Sequence, residues 1–564
     1  MLRKLFALAT LGLAALVFIT PALDARQPVH ARKAMVVARE AHATDAGVAT
    51  LQAGGNAIDA AVTVAMALAV THPSAGNLGG GGFMLVRFAD GRSTFIDFRE
   101  RAPNAASHDM YLGPDGQPTK DSLVGYRANG IPGTVRGMEY AHSKYGRKPW
   151  KDLIDPAIKL ARDGFPLSYG LSESLRSKNL VERLSEFPES KRIFLKDGAL
   201  YEFGETFKQP DLARTLERIQ KKGAKDFYEG ETAHLLAADQ KEHGGILTLE
   251  DLRDYKAIER KPVEGKYKNF GIIASPPPSS GGAGIIQMLG ILDGSGYDKA
   301  GAGSALSLHW EAEVMRRYFA DRSEHMGDPD FVKVPLISLL SPKYIEKLRL
   351  GIDPLKATPS TDIKPASNLA AYESMETTHY SIVDAEGNAV SVTYTLNGGF
   401  GSGVVAKGLG FLLNNEMDDF APKPGQPNGY GLVQGEANSI APHKTPLSSM
   451  SPTIVTKDGK LYIVAGSPGG PTIINTVFQT ILNIMDFGMN AQEAVDAPRI
   501  HHQWMPDVLQ VEKSMSPDTI EALKARGHKV SVSGQIGELA VIRIVDGWVE
   551  GAADGRVEAK AKGY

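Results

Sequence analysis

The amino-acid sequence predicts an α/β (α+β) fold in which helices and β-hairpins pack in layers. Apolar segments with a helical period occur early in the chain, at residues 57–70, and late, at residues 473–485. Segments with the two-residue period of a hairpin also occur early, at residues 83–98, and late, at residues 377–396. Because both halves of the chain carry both kinds of element, we expect one layered body rather than two independent modules.

The first part of the chain predicts a helix, a glycine loop and a hairpin. Residues 43–70 are rich in alanine and carry little charge, which indicates a helix that is buried on most sides. A glycine-rich loop follows at residues 76–82. The strands predicted at residues 83–88 and 93–98 are joined by an Asp-Gly turn.

The middle of the chain, residues 145–265, is more polar and predicts helices that cover a sheet. Pro210 stands at a plausible first helical position, and Thr248 opens a pattern like a capping box. Residues 272–282 then lead from a strand through a stiff, proline-rich turn into an apolar helix from Ile285 onward.

Residues 377–396 predict a strand, a tight turn and a returning strand. Apolar residues alternate along both arms, and residues 384–388 supply the turn. Thr377 and Thr378 stand at the mouth of this hairpin. If cleavage after Glu376 made Thr377 a chain N-terminus, a nucleophilic hydroxyl and a basic amine would lie on one residue.

Residues 1–25 resemble a secretory signal peptide. A short basic region at residues 1–4 precedes an apolar stretch at residues 5–19 and small residues suited to cleavage at residues 20–25. The apolar stretch is shorter than the ~20 residues that a membrane-spanning helix needs, so an uncleaved anchor is the weaker alternative. We therefore expect a periplasmic or secreted mature protein.

The composition of the 564-residue chain excludes several classes of function. The formal net charge is −3, so no long-range field attracts nucleic acid or an anionic membrane surface. The chain contains no cysteine, which excludes disulfides and thiol catalysis. Specific polar sites must therefore provide recognition, and a large core must provide stability.

Two alternative functions receive little support from the motifs. The glycine loop at residues 76–82 lies before a strand rather than between a strand and a helix, and the glycine loop at residues 281–284 lacks a P-loop lysine. For both loops, close backbone packing is therefore favoured over nucleotide binding. His501 and His502 are adjacent and lack the spacing of a metal site, and His379 points away from its strand neighbours. We expect no metal and no cofactor.

Two polar segments of the second half are candidates for binding an anion. Ser448 and Ser449 lie between prolines and lack the GxSxG pattern of a serine nucleophile, so hydrogen bonding to an anion is favoured. Gly469 and Gly470 follow a predicted strand at residues 461–465. Two successive backbone N–H groups in a glycine turn can form an oxyanion hole, although the pattern alone is only that of a turn.

The segments together resemble the gamma-glutamyltranspeptidase family. Motifs typical of that family occur in its order at residues 97–103, 377–380, 393–397, 413–420, 446–453 and 466–470. The resemblance also includes residues 130–133 and 276–282, and covers nearly all of the expected mature chain.

The resemblance implies a four-layer αββα sandwich of the N-terminal nucleophile hydrolase type. It also implies self-cleavage between Glu376 and Thr377, which would give a large subunit of residues 26–376 and a small catalytic subunit of residues 377–564. The two subunits would remain in one layered body. The implied reaction transfers a gamma-glutamyl group to Thr377 and then to water, an amino acid or a dipeptide, with glutathione as a fitting donor.

The resemblance also implies roles for individual residues. Thr377 is implied as the nucleophile and Thr395 as the residue that orients it, with Gly469 and Gly470 as the oxyanion hole. Arg99, Ser448 and Ser449 are implied to bind the substrate carboxylate, and Asp419 with Glu416 its ammonium group. Glu416 stands where some relatives carry Gln or Asn, so the larger contribution to affinity is expected from Asp419. Asn397 is implied to position the substrate, and Tyr430 to close a lid formed by residues 421–431.

Two alternatives to a gamma-glutamyltranspeptidase remain open at the level of sequence. Relatives with this scaffold deacylate glutaryl side chains of cephalosporins, but a glutaryl group lacks the amine that Asp419 would bind. A catalytically inactive periplasmic binding protein is the other alternative, and competent residues at every implied catalytic position argue against it. The implied lid also argues against relatives that act on polymeric gamma-glutamate, because a lid obstructs a long chain.

Overall fold

The computed structural model describes residues 26–364, 377–424 and 435–564 of the chain. Its centre consists of two seven-stranded antiparallel sheets. The sheets lie face to face: the Ser391 hydroxyl donates to the Ala465 carbonyl at 3.1 Å, and the Ser381 hydroxyl donates to the Ala540 carbonyl at 3.0 Å. Helices cover both outer faces. The predicted four-layer αββα sandwich is therefore confirmed.

The strands of both sheets come from segments on each side of residues 365–376. Sheet I contains, in spatial order, Lys560–Gly563, Met35–Ala38, Thr378–Val383, Ala389–Thr395, Gly81–Arg87, Ser93–Phe98 and Ile258–Arg260. Sheet II contains, in spatial order, Val29–Ala31, Trp548–Ala553, Ala540–Val545, Lys460–Gly466, Thr453–Lys457, Phe270–Ala274 and Val263–Tyr267. Two small sheets lie outside this centre and are formed by Ile500–His501, Leu509–Glu512 and Val530–Ser533, and by Phe165–Pro166 and Thr206–Phe207.

Two groups of helices form the outer layers. Ala41–Gln52, Ala57–Thr71 and Thr134–Tyr145 pack on sheet I, and Gly281–Leu292, Thr472–Met485 and Ala491–Asp496 pack on sheet II. The other α-helices of the described residues are Trp150–Asp163, Tyr169–Leu175, Lys178–Ser185, Pro188–Phe194, Pro210–Lys222, Ala224–Glu229, Glu231–Glu242, Leu249–Asp254, Ala305–His325, Leu336–Leu339, Pro342–Leu350 and Pro517–Ala525. Short 3₁₀ turns span Tyr126–Ala128, Lys196–Gly198, Tyr297–Ala300, Ser360–Asp362, Glu416–Asp419 and Glu436–Asn438.

The alternation of side chains along the strands of sheet I creates two separate apolar cores. Tyr380 and Val392 face the outer helices and belong to one core. Phe83 and Leu85 face sheet II and belong to the other core. The two-residue period of these strands thus places buried side chains on both faces of the sheet, and the polar ones on the inner face, such as Ser381 and Ser391, hydrogen-bond to carbonyls of sheet II.

The predicted helix at residues 43–70 is interrupted. The structure contains Ala41–Gln52 and Ala57–Thr71, which are separated by a turn with Gly54 at a φ of +87°. The Asn56 side chain accepts a hydrogen bond from the Asp59 N–H, and the Asp59 side chain accepts one from the Asn56 N–H. This reciprocal capping box starts the second helix anew, so the alanine-rich composition alone was a misleading guide to its continuity.

The helix predicted from Ile285 begins earlier, at Gly281, and the hairpin predicted at residues 83–98 is present as Gly81–Arg87 and Ser93–Phe98. Part of the glycine loop therefore belongs to a strand. A side chain at Gly80 or Gly82 would collide with backbone carbonyls of the neighbouring strand, so these glycines permit close approach. This confirms the prediction of close backbone packing.

Among the described residues, no helix combines the length and apolar character needed to cross a membrane. The predicted signal peptide at residues 1–25 lies outside the described residues.

Candidate active site

Thr377 lies at the end of the central hairpin of sheet I, beside Thr395. The register pairs Thr378 with Tyr394, which brings the Oγ atoms of Thr377 and Thr395 within 3.4 Å of each other. Thr378 is fully buried, whereas Thr377 is partly exposed. The two threonines thus differ: Thr378 belongs to the strand, and Thr377 presents its hydroxyl group at the strand's end.

Asn397 connects the hairpin to the loop that carries the acidic residues. It has a φ of +71°, and its N–H donates to Thr395 Oγ at 2.8 Å. Its side chain donates to the Asn415 carbonyl at 2.9 Å, while the Asn415 side chain accepts from the Gly398 N–H at 2.8 Å. Asparagine tolerates this left-handed backbone better than most residues. The sharp turn therefore fixes the hydroxyl pair relative to Glu416.

Arg99 is buried between two acidic side chains. One guanidinium nitrogen, Nη1, pairs with Glu416, and Nη2 pairs with Asp419 at 2.5 Å. Arg99 follows the strand Ser93–Phe98, and its carbonyl accepts a hydrogen bond from the Tyr255 hydroxyl at 2.9 Å. The structure therefore brings together the residues predicted to bind opposite ends of an amino acid, and it pairs them with each other.

Two carboxyl groups beside Arg99 have raised pKa values. Burial raises the pKa of Glu416 to about 8, although the Arg99 guanidinium lowers it. Burial likewise raises the pKa of Glu100 to about 7 against the same guanidinium. Because a buried carboxylate is costly without full compensation, the single Arg99 cation does not offset simultaneous ionisation of Glu100 and Glu416.

Ser448 and Ser449 form another wall of the same small cavity. The Ser448 Oγ accepts a hydrogen bond from the Met450 N–H at 3.1 Å. The loop is connected to the acidic turn through Asn438, which donates to the Asp419 carbonyl at 2.6 Å and accepts from the Leu447 N–H at 2.9 Å. The buried side-chain amide of Asn438 thus connects the two sides of the cavity.

Gly469 and Gly470 lie between a strand of sheet II and the helix Thr472–Met485. Their φ angles are +128° and +56°, and their carbonyls accept from the N–H groups of Thr472 and Ile473, both at 3.1 Å. Within the described part of the chain, neither glycine N–H donates to a protein acceptor. Gly470 lines the cavity beside Thr377. Two donors at a helix N-terminus are suited to stabilising a developing negative charge.

Thr377 lies where two spaces of different size meet. The first, which we call the inner cavity, has a volume of about 20 Å³ and is lined by Arg99, Thr377, Thr395, Asn397, Glu416, Asp419, Ser448, Ser449, Met450, Gly470 and Ile473. The second, which we call the outer cleft, measures about 1270 Å³ and is lined in part by Thr377, Gly398 and Phe400. A group bound in the inner cavity would thus have its continuation in the outer cleft.

All but two of the predicted site residues are described by the structure. Glu376, on the other side of the predicted cleavage point, and Tyr430, the predicted lid residue, lie outside the described residues. The inner cavity contains every other predicted residue except Gly469, which adjoins it through Gly470.

The histidines named from the sequence have structural surroundings. His379 is buried, with its ring nitrogens 2.8 Å from Thr393 Oγ and 3.1 Å from Ser381 Oγ, and burial lowers its pKa to about 3. His501 and His502 are also buried, and their rings contact Gln503 and Asp507. These contacts agree with the structural role expected from the sequence.

A further group, His309, Glu313 and His528, places possible ligand atoms within 4.8 Å of one another. However, Glu313 already pairs with Arg316 and Arg317. These two guanidinium groups disfavour an additional cation, and the two histidines are hydrogen-bonded to each other at 2.8 Å.

Comparison with known proteins agrees with this geometry. The family model described as Gamma-glutamyltranspeptidase matches residues 43–564. The chain belongs to the gamma-glutamyltranspeptidase family. It is 50% identical over 544 residues to the "Glutathione hydrolase proenzyme" of Escherichia coli (strain K12), and the match covers 96% of this chain and 93% of that protein.

Two solved structures relate this gamma-glutamyltranspeptidase-family chain to different named activities. A Helicobacter pylori gamma-glutamyltranspeptidase chain has a TM-score of 0.56 and 46% identity, with 58% of this chain and 93% of that chain covered. A cephalosporin acylase from Bacillus halodurans has a TM-score of 0.85 and 27% identity, with 96% of this chain and 98% of that chain covered. The scaffold of this family member is therefore shared with an acylase.

Sequence reasoning assigned no role to several residues that shape this site. Glu100 directly follows Arg99, and Asn414 and Asn415 directly precede Glu416, so all three lay within the family motifs. The Asn414 side chain donates to the carbonyls of Gly79 at 2.8 Å and Gly130 at 2.9 Å. The position of these residues next to motif residues was the available signal, but the groups that Asn414 contacts are distant in sequence.

Proposed function

We propose that Thr377 is the nucleophile of a gamma-glutamyl hydrolase and transferase, and that it is exposed by self-cleavage after Glu376. The chain is an enzyme of the gamma-glutamyltranspeptidase family, and its relative from Escherichia coli carries the word proenzyme in its name. The observation that most supports the proposal is the position of Thr377 between the outer cleft and the inner cavity with its Arg99–Asp419 pair.

In the proposed maturation step, Thr377 Oγ attacks the carbonyl carbon of Glu376. The peptide C–N bond breaks, a C–O ester bond forms, and the threonine nitrogen becomes a free amine after taking up a proton. Water then hydrolyses the ester, which leaves a carboxylate on Glu376 and restores the hydroxyl group of Thr377. Interleaved strands from residues 26–364 and 377–564 in both sheets would hold the two proposed subunits together without a covalent bond.

In the proposed acylation step, the amine of Thr377 accepts the hydroxyl proton as Oγ attacks the gamma-carbonyl carbon of the donor. An α-amine with a pKa near ~7.7–8.0 is sufficiently often neutral around neutral pH to act as this base. The N–H groups of Gly469 and Gly470 would stabilise the oxyanion, and the Thr395 hydroxyl, 3.4 Å away, would orient the nucleophile. The leaving amine takes the proton and departs through the outer cleft.

Deacylation reverses the chemistry with a different nucleophile. Water or the amine of an acceptor attacks the gamma-glutamyl ester, the C–O bond to Thr377 breaks, and Oγ regains a proton. The outer cleft, at about 1270 Å³, has room for an amino acid or dipeptide acceptor. Glutathione and related gamma-glutamyl compounds are the proposed donors.

On binding of the donor, the ion pair between Arg99 and Asp419 would be replaced by two ion pairs with the donor. The inner cavity has room for about one water molecule, so the wall that contains Arg99 and Asp419 would have to shift before an amino-acid end can bind. The donor's α-carboxylate would then pair with Arg99 and accept from Ser448 and Ser449, while its ammonium group pairs with Asp419 beside Glu416. A zwitterion leaves the charge balance of the site unchanged, whereas a donor with only one of the two charges does not.

The proposed location is the periplasm or the exterior of the cell, because residues 1–25 have the pattern of an export signal.

Denaturing electrophoresis of the purified protein tests the maturation proposal. Two fragments are expected, and N-terminal sequencing of the smaller one should begin at Thr377. Thr377→Ala should give a single uncut chain without activity, whereas Thr378→Ala, which changes the buried neighbour, should still be cut. A wild-type band that stays uncut during incubation would contradict the proposal and favour an inactive binding protein.

The likeness to a cephalosporin acylase makes glutaryl amides the second candidate substrate class. A glutaryl amide carries the distal carboxylate but lacks the ammonium group, so it would leave Asp419 without a cationic partner in the donor. We therefore expect faster cleavage of a gamma-glutamyl anilide than of the matching glutaryl anilide. Faster cleavage of the glutaryl compound would reassign the substrate class.

A further inference from the structure

Arg322 is a fully buried cation directly behind one wall of the inner cavity. It lies in the last turn of the helix Ala305–His325 and has 0% exposure. Its Nη2 donates to Ser449 Oγ at 3.1 Å, and its Nε donates to Ser280 Oγ at 2.8 Å. Ser449 lines the cavity and Arg322 does not, so the serine lies between the guanidinium and the proposed donor.

The hydrogen bond from Arg322 determines what the Ser449 hydroxyl can do. A hydroxyl group has one hydrogen and can accept at two lone-pair positions. Because a guanidinium group only donates, Ser449 Oγ is the acceptor in this bond and keeps its own hydrogen for another partner. Because Ser449 lines the inner cavity, an anion bound there could accept this hydrogen.

Arg322 also supports Ser448, through a second serine. The Ser280 hydroxyl accepts from Arg322 and donates to the Ser448 carbonyl at 2.8 Å. The Ser280 N–H donates to the same carbonyl, also at 2.8 Å. One guanidinium group thus contacts the Ser449 side chain directly and restrains the Ser448 backbone through Ser280.

We propose that Arg322 is a positioning residue for the α-carboxylate of the donor: it presents the Ser449 hydroxyl as a donor and holds Ser448 in place. This inference rests on the proposed function. It assigns carboxylate selectivity to two arginines, one that contacts the substrate and one that acts through serine.

Two donors that differ only in the α-carboxylate test this role. A gamma-glutamyl anilide carries it, whereas a 4-aminobutanoyl anilide keeps the ammonium group and the scissile amide but lacks it. In processed Arg322→Met, kcat/KM for the gamma-glutamyl donor should fall by about 10- to 100-fold, mainly through KM. For the 4-aminobutanoyl donor it should stay within about twofold. Arg322→Lys, which keeps the charge, should recover part of the loss.

A double-mutant cycle separates action through Ser449 from a general effect on folding. If Arg322 acts through this hydroxyl group, Ser449→Ala should remove most of the gamma-glutamyl preference, and adding Arg322→Met should lower it little further. Arg316→Met is the matched control, because Arg316 lies on the same helix, is equally buried, and pairs with Glu313 and His502 instead of the serines. It should lower stability without changing the ratio between the two donors.

Several outcomes would overturn the inference. Equal losses for both donors in Arg322→Met, or additive effects in the cycle, would make Arg322 a structural residue only. If Arg322→Met yields no processed enzyme, Ser280→Ala is the substitute variant, because it removes the hydroxyl group that accepts from Arg322 Nε. It should give a smaller loss of kcat/KM that is selective for the gamma-glutamyl donor. Equal losses for both donors would contradict the inference. A wild-type enzyme inactive on the gamma-glutamyl donor would instead overturn the proposed function, and this inference with it.

Discussion

The inner cavity and the outer cleft share Thr377 but differ in size and in the exposure of their walls. The cavity, at about 20 Å³, is lined by residues that are buried apart from Thr377, and Arg99 pairs there with Glu416 and Asp419. The cleft, at about 1270 Å³, has a wall that includes exposed side chains such as Glu182 and Glu186. One side of Thr377 therefore accommodates a single small group, and the other side accommodates groups of varied size. Substitutions on the two sides should therefore have very different effects.

The largest effect is expected from Arg99→Ala. The substitution removes the proposed carboxylate partner and leaves Asp419 buried without its cation, which costs about 3–5 kcal/mol when one member of a buried pair is lost. We expect kcat/KM for a gamma-glutamyl anilide to fall by about a thousandfold and the melting temperature to decrease. Steady-state kinetics on the processed fraction and thermal unfolding measure both effects.

The matched control for that substitution is Arg92→Ala. Arg92 pairs with Asp90 in the turn before the same strand, but its side chain is 75% exposed. Its removal should change activity and stability little, because exposed ion pairs contribute roughly 0–1 kcal/mol. Equal losses in the two variants would show that the burial of Arg99 has no special importance.

Gly470→Ala should have the next largest effect. The residue has a φ of +56° and lines the cavity, so an added methyl group strains the turn and displaces the proposed oxyanion donors. We expect kcat to fall by about a hundredfold or more, as on loss of an oxyanion donor, with a smaller change in KM. Gly459→Ala is the control, because Gly459 has a φ of +78° but open space around it. A similar fall in kcat for the control would mean that backbone strain alone is responsible.

Glu416→Gln should change the pH dependence of stability. The folded protein raises the pKa of Glu416 from 4.5 to about 8, so between these values the folded state binds more protons than the unfolded state. The stability that this group contributes is therefore present below pH 4.5 and is lost as the pH rises to about 8. Glutamine does not titrate, and each unit of raised pKa corresponds to about 1.4 kcal/mol.

Denaturant unfolding of wild type and Glu416→Gln at several pH values measures this difference. The unfolding free energy of the wild type, relative to the variant, should fall as the pH increases from 5 to 8. Buried histidines such as His379 make the opposite contribution, because their lowered pKa destabilises the fold at acid pH. This contribution is the same in both proteins, so subtracting the two unfolding free energies removes it. A constant or rising difference would contradict the raised pKa of Glu416.

The smallest effect is expected in the outer cleft, from Glu182→Gln. This side chain is exposed, and its nearest ion-pair contact in the structure is with Lys178 at 3.8 Å. Hydrolysis of the anilide should change by less than about twofold, since exposed substitutions usually alter energies by under 0.5 kcal/mol. A tenfold loss of hydrolysis would make the cleft wall part of donor recognition and would remove the contrast between the two sides.

The hairpin that carries Thr377 was predictable from the sequence because its information is local. Alternating apolar residues and a turn at residues 384–388 are sufficient to specify two paired strands, and Thr378 and Thr395 fall at their ends. The capping box at Thr248 was predictable for the same reason. The four-layer arrangement and the roles in the site came instead from the family resemblance, and the structure confirms the layers.

What the sequence did not predict depends on contacts between distant segments. Arg99 and Asp419 were expected to bind opposite ends of a substrate, but their direct pairing joins positions 320 residues apart. The raised pKa of Glu416 follows from burial, which no motif encodes. Arg322 lies on a helix whose sequence gives no indication that its last turn reaches Ser449. Such features appear only after the layers have been assembled.

Locating the acyl group on the enzyme tests most directly whether Thr377 is the nucleophile. Processed enzyme is mixed with a gamma-glutamyl anilide, quenched with acid during turnover, digested and analysed by mass spectrometry. We expect a peptide that begins at Thr377 and is heavier by one gamma-glutamyl group, with the added mass on that first residue. Turnover without such an adduct, or an adduct on another residue such as Ser448 or Ser449, would contradict the assignment of Thr377 as the nucleophile.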